Sequence, residues 1–89
     1  MDIKYKEIES KLFELIDMLK TCFTQTELDE VIEFIKYNEY GLALDTVIDI
    51  IIEEDKSINN DILNMMIKLS DIMNLDSESI NKKMIAYIL

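Results

Sequence analysis

The chain has 89 residues and a formal net charge of −10, which fits one domain with a single core and argues against nucleic acid or an anionic membrane as a partner. It contains no histidine and one cysteine, Cys22, which excludes a Ser-His-Asp triad, a zinc site of several Cys and His ligands, and an internal disulfide. No apolar run reaches the roughly 18 residues of a membrane span and the first residues are too charged for a signal peptide, so we expect a cytoplasmic protein.

Apolar residues recur every three to four positions along the chain, which is the spacing of amphipathic helices. The many isoleucines favour strands by propensity, but the chain has no proline and no Asn-Gly, Asp-Gly or Gly-Gly turn pair. The helical spacing of the apolar residues is stronger evidence than the strand propensity of isoleucine. We therefore predict an all-α fold, a compact bundle of about five short antiparallel helices that forms a single domain over residues 1–89.

The first predicted helix covers residues 3–21, with Asp2 as its cap. Its charged residues have mixed signs, which is typical of a solvated surface. Its apolar stripe consists of Tyr5, Ile8, Leu12, Leu15, Ile16 and Leu19.

The second predicted helix covers residues 27–37, and two caps are possible at its start. Thr26 would place Asp29 at the third helical position, and Thr24 would place Glu27 there, as in a capping box. Its inward residues are Leu28, Val31, Ile32 and Ile35.

The outer face of this second helix carries Glu30, Glu33 and Tyr37. An aromatic ring beside acids on a water-facing surface is typical of a protein interface. The alternative is that the Tyr37 ring packs on a neighbouring helix at the turn.

The third predicted helix, residues 39–55, follows Asn38, which tolerates the left-handed backbone that often ends a helix. On its polar side Asp45, Asp49 and Glu53 lie one turn apart, and each such pair of like charges costs about 0.2–0.5 kcal/mol. Further acids at its carboxyl end oppose the helix dipole. These local conflicts indicate a functional surface. The opposite side is apolar and consists of Tyr40, Leu44, Val47, Ile48 and Ile51.

Two further helices complete the prediction. The fourth, capped by Asn59 or Asn60, buries Ile62, Met66, Leu69 and Met73, widened by Met65 and Ile72. Its methionines indicate either plain core or an adaptable binding groove. The fifth covers residues 78–87 and is capped by Asp76 or Ser77, with Ser79 as the other possible cap. Its inward residues are Ile80, Met84, Tyr87 and Ile88.

Nearly all the negative charge lies on the second and third predicted helices. Residues 27–55 hold ten acids and one base, a net charge of −9, whereas the rest of the chain holds nine acids and eight bases, a net charge of −1. Such a field attracts basic proteins. Because no catalytic motif or Gly-rich phosphate loop is present, we predict a binding protein rather than an enzyme, with no cofactor or metal.

The segment Glu39-Tyr40-Gly41-Leu42-Ala43-Leu44-Asp45, followed by Asp49, Glu53 and Glu54, resembles the MafI-type immunity proteins, which are related to the immunity proteins of contact-dependent growth inhibition (CDI). The later segment Ile72-Met73-Asn74-Leu75-Asp76 resembles the end of the family pattern, so the resemblance covers about residues 30–76. It implies a small acidic helical protein that binds and neutralises the C-terminal nuclease domain of a cognate bacterial toxin, in several cases an EndoU-like RNase.

The helical projection selects seven residues for the partner-binding surface: Glu30, Glu33, Tyr37, Tyr40, Asp45, Asp49 and Glu53. Two other functions are compatible with the sequence. One is an acidic helical adaptor or homo-oligomeric subunit, and the other is a nucleic-acid mimic that inhibits a DNA-binding protein. A further alternative is that the negative charge only keeps the protein soluble. This explains less well why the charge is concentrated in residues 27–55.

Overall fold

Residues 3–89 are described by the computed structural model; the predicted cap Asp2 lies outside this range. The all-α prediction is confirmed: the described residues form five α-helices and a closing 3₁₀ turn, with no strand among them. The elements are α1 (Ile3–Leu19), α2 (Gln25–Lys36), α3 (Tyr40–Glu53), α4 (Asn60–Ile72), α5 (Ser77–Met84) and the 3₁₀ turn (Ile85–Tyr87).

Three helices begin at side-chain caps that satisfy free backbone N–H groups. Thr24, not Thr26, caps α2: its Oγ1 accepts from the Glu27 N–H at 3.2 Å, and Glu27 Oε1 accepts from the Thr24 N–H at 2.8 Å, which completes a capping box. Asn59 caps α4 and Asp76 caps α5 in the same way, each accepting from the N–H three residues later.

Three helices end at a residue with a positive φ angle that is not glycine. Asn38, Asp55 and Asn74 have φ angles of 60°, 49° and 58°, and follow α2, α3 and α4. After each of them the next N–H donates back across the final turn, for example from Glu39 to the Phe34 carbonyl at 2.9 Å, which is the Schellman arrangement. Short Asn and Asp side chains tolerate this conformation, so the chain turns sharply although it has only one glycine. Asn38 was predicted in this role, and Asp55 and Asn74 were not.

Among the described helices α3 buries the most side chains. It packs chiefly against α2 as a hairpin, while α1 packs on α4 and α4 on α5. The predicted apolar side of α3 is confirmed, and the structure adds Ala43 and Ile50 to it. Leu12, Leu44 and Met66, from three different helices, have no exposed surface. One hydrophobic cluster therefore joins the helices of the bundle.

One predicted core position is wrong, because Tyr5 is 55% exposed. Met73, Tyr87 and Ile88 are partly buried and pack against the core, as predicted. Tyr5 stands in the first turn of α1, where one side of the helix opens into a cleft. The methionines of α4 pack in or against the core, so the Met-rich side of this helix is not an open groove.

The end of the chain departs from the predicted fifth helix. The α-helix stops at Met84 rather than Tyr87, and Ile88 has extended backbone angles. Ile58 donates its N–H to the Tyr87 carbonyl at 2.9 Å, and Leu89 donates to the Ile58 carbonyl at 3.0 Å, which forms an isolated parallel bridge. Ile58, the buried residue of the connection between α3 and α4, thus obtains main-chain partners that a continued helix would not supply.

A half-buried ion pair joins this connection to the start of α2. Lys56 Nζ lies 2.9 Å from Glu27 Oε1, each side chain is 17% exposed, and the ammonium is 5.8 Å from the centre of the Phe23 ring. The backbone N–H of Thr24 and the Lys56 ammonium both stabilise the carboxylate, and they hold the pKa of Glu27 below its ordinary value.

Replacing Glu27 with glutamine is expected to lower the free energy of unfolding by about 1 kcal/mol at neutral pH. Because the folded-state pKa of Glu27 is depressed, its contribution is present above the unfolded-state pKa of about 4.3 and is lost as the pH falls through the folded value. Urea unfolding of both proteins across acidic pH measures this. The gap between them should close in acid, and a constant gap would contradict the assignment. Glu78→Gln, which breaks an exposed pair with Lys82, is the matched control with a smaller effect.

Candidate protein-binding surface

A groove of 360 Å³ runs between α2 and α3 and is lined mainly by carboxylates. We call it the acidic groove, and it consists of Glu27, Glu30, Thr46, Asp49, Ile50, Glu53 and Glu54. Because α2 and α3 form a hairpin, the first half of α2 lies beside the second half of α3. The fold therefore concentrates charge from two separate stretches of sequence on one concave surface.

The acidic groove brings together three of the seven predicted residues, Glu30, Asp49 and Glu53. All three side chains are exposed. Glu30 comes from α2 and the other two come from successive turns of α3. The prediction that acids of these two helices share one surface therefore holds for these three residues.

Four of the five carboxylates in the acidic groove have no counterion among residues 3–89. Glu27 is paired with Lys56, while Glu30, Asp49, Glu53 and Glu54 form no ion pair with the described lysines. Their mutual repulsion is screened only by solvent and salt. A cationic group placed in the groove would reduce this repulsion, so the geometry favours a basic ligand.

Three other predicted residues are exposed but do not line the acidic groove. Glu33 follows Glu30 by one turn of α2, and Asp45 precedes Asp49 by one turn of α3. Tyr37, directly after α2, is 69% exposed, so the alternative in which its ring packs on a neighbouring helix is wrong. An exposed ring of this size can serve as an anchor for a partner.

Tyr40 does not belong to this exposed surface. It is 9% exposed, and its hydroxyl donates to Glu9 Oε2 at 2.8 Å. Burial, together with the hydrogen bond to Glu9, raises the pKa of Tyr40 above its ordinary value. The expectation that Tyr40 offers its ring to a partner is therefore corrected, because its place in the apolar stripe of α3 puts the ring in the core.

Sequence reasoning missed two carboxylates of the acidic groove, Glu27 and Glu54. Glu27 was assigned only a capping role, although it precedes Glu30 by three residues and so lies on the same side of α2. Glu54 was counted in the acidic end of the third helix and in the family pattern, but not among the seven binding residues. It directly follows the last residue of α3, so its place in the groove depends on where the helix ends, which a helical projection does not show.

Outside the acidic groove, the described residues have one thiol, Cys22, and no group that fits a metal ion. Residues 3–89 contain no group of three or more Cys, Asp or Glu side chains arranged to hold a metal ion. Cys22 is partly buried, and burial raises the pKa of its thiol, which disfavours the reactive thiolate. Within the same range, no helix has the length and apolar character needed to cross a membrane.

No family model, curated protein or solved structure matches this chain. The resemblance to MafI-type immunity proteins therefore stays a prediction.

Proposed function

We propose that this protein binds a basic protein at the acidic groove, and that the partner is the nuclease domain of a cognate bacterial toxin, which it neutralises as an immunity protein. The proposal rests on one observation: Glu30, Asp49, Glu53 and Glu54 share one concave surface and have no counterion among residues 3–89. The resemblance of residues 30–76 to MafI-type proteins supplies the kind of partner.

The proposed mechanism is electrostatic competition with RNA. A nuclease holds its substrate with lysine and arginine side chains that contact phosphates. A groove of carboxylates fits the same basic surface, and a docked protein of this size excludes a nucleic acid from it. Complementary charge raises association rates toward 10⁸–10⁹ M⁻¹s⁻¹. The affinity would then depend on a few desolvated contacts, for which the exposed Tyr37 ring is the best candidate.

Co-purification with the product of the neighbouring gene is the first experiment. We expect a stable complex with the C-terminal domain of a secreted toxin, and protection of cells that express this domain. Rapid-mixing kinetics then tests the electrostatic step. Raising the ionic strength from about 0.1 M to about 1 M shortens the Debye length from about 10 Å to about 3 Å. Association should slow far more than dissociation, and equal effects on both rates would argue against the acidic groove as the docking site.

The two alternative functions make different predictions. A nucleic-acid mimic would use the same acidic groove but would inhibit unrelated nucleic-acid-binding proteins, so a panel of nucleases separates broad inhibition from cognate inhibition. An adaptor or homo-oligomeric subunit would bury the Met-rich side of the fourth or fifth helix against a partner helix. Among the residues from 3 onward every methionine is already buried or partly buried, which gives this alternative little methionine surface to use.

A further inference from the structure

A second concave surface lies at the other end of the α2–α3 hairpin, between the start of α1 and the turn that leads into α3. It encloses 480 Å³, and we call it the tyrosine cleft; its lining residues are Tyr5, Lys6, Glu9, Asn38 and Tyr40. It shares no lining residue with the acidic groove. What it binds can therefore be inferred independently of the proposed function.

Two aromatic rings form one wall of the tyrosine cleft. The ring centres of Tyr5 and Tyr40 are 6.3 Å apart and their planes are inclined by 40°. Tyr40 is held in the core, whereas Tyr5 is 55% exposed. The face of a tyrosine ring attracts a cation that approaches within about 6 Å of its centre. The exposed Tyr5 ring is therefore an open surface for a cationic group.

A positioned carboxylate stands beside these rings. Glu9 is partly buried, and its Oε2 accepts from the Tyr40 hydroxyl at 2.8 Å, while Asn38 Oδ1 lies 3.0 Å from the same hydroxyl. Glu9 forms no ion pair with the lysines of residues 3–89, and its Oε1 accepts no hydrogen bond within that range. A fixed acceptor with a free oxygen next to an aromatic face suits a flat cation that carries several N–H donors.

We propose that the tyrosine cleft binds the side chain of an arginine from another protein. The planar guanidinium stacks on the Tyr5 ring and donates to Glu9 Oε1, which uses both its charge and its flat shape; an ammonium group lacks this shape. All nine basic residues of this chain are lysines, so a second copy of the chain cannot supply the arginine.

Lys6 provides a way to distinguish a cationic ligand of the tyrosine cleft from an anionic one. It lines the cleft, is exposed, and forms no ion pair with the carboxylates of residues 3–89. Its ammonium group repels a guanidinium and would attract a carboxylate or phosphate. Lys6→Ala should therefore strengthen binding of a cation and weaken binding of an anion.

The test is an NMR titration of the isotope-labelled protein with N-acetyl-arginine amide. We expect saturable shifts of the backbone amide signals of Tyr5, Glu9 and Asn38. N-acetyl-citrulline amide, which has the same shape without the charge, should bind about tenfold more weakly or worse. Equal affinity for the two compounds, or shifts confined to other residues, would overturn the proposal.

Four variants assign the effect to the tyrosine cleft. Glu9→Gln and Tyr5→Leu should each weaken arginine amide binding several-fold, and Tyr5→Leu is the safer variant for folding because the ring is exposed. Lys6→Ala should strengthen binding; if it weakens binding, the cleft takes an anion and the proposal fails. Asp49→Asn in the acidic groove should leave the titration unchanged. A loss there would place the arginine at the acidic groove instead.

Discussion

Replacing Leu44 with alanine is expected to lower the free energy of unfolding by about 2–5 kcal/mol. Leu44 has no exposed surface and lies on the buried side of α3, the described helix with the most buried side chains. The substitution removes buried methyl groups and leaves a cavity that its neighbours fill only in part. A small domain has about 5–15 kcal/mol of stability in total, so this single change removes a large share of it.

Leu42 is the matched control for this experiment. It lies two residues earlier on the same helix, but it is 48% exposed because it faces away from the core. Leu42→Ala should change the free energy of unfolding by no more than about 0.5 kcal/mol. Urea unfolding followed by circular dichroism measures both variants, with an unchanged slope expected for Leu42→Ala. Similar losses for the two variants would contradict the burial of Leu44 and the exposure of Leu42.

The contrast between Leu42 and Leu44 also shows how much of the fold was predictable. Helical period alone assigned Leu44 to the core, because the apolar side of α3 is continuous through Val47 and Ile51. The helix ends were harder. Asp55 ends α3 by adopting a left-handed conformation, a property of one residue that leaves no periodic pattern in the sequence.

The end of the chain was predicted incorrectly because it depends on a distant contact. Residues 85–88 continue the helical spacing of apolar side chains, yet the backbone leaves the α-helix at Met84. The cause is the pairing of Ile58 with Ile88, which lie 30 positions apart in the chain. A local period does not encode that pairing, so tertiary context overrides it.

The acidic groove was predictable in part for a related reason. Projection onto single helices selected Glu30 on α2 and both Asp49 and Glu53 on α3, and the hairpin then set these residues side by side. The same projection does not show how far along the hairpin the groove extends. Asp45 was therefore included among the seven predicted binding residues because it shares a side of the helix with Asp49, although it does not line the groove.

Changing Asp49 to asparagine and Glu53 to glutamine together is expected to affect folding and binding in opposite directions. The two acids are one turn apart on α3, so neutralising them removes a repulsion of about 0.2–0.5 kcal/mol and slightly stabilises the free protein. It also relieves the unfavourable charge near the carboxyl end of the helix. The same change removes two of the four groove carboxylates that have no counterion among residues 3–89. Association with a basic partner should therefore slow by about tenfold or more at low salt.

Glu14→Gln combined with Asp71→Asn is the matched control, since it changes the net charge by the same amount. Both of these acids are exposed, lie outside the acidic groove and form no ion pair with the lysines of residues 3–89. If only overall charge matters, the two double variants should slow association equally. If the acidic groove is the docking surface, the control should retain most of the rate, and Asp45→Asn should fall between them. If the Asp49→Asn, Glu53→Gln variant is more stable but binds no more slowly, the groove carboxylates serve solubility alone. Their repulsion in the free protein would then not be relieved by a bound partner.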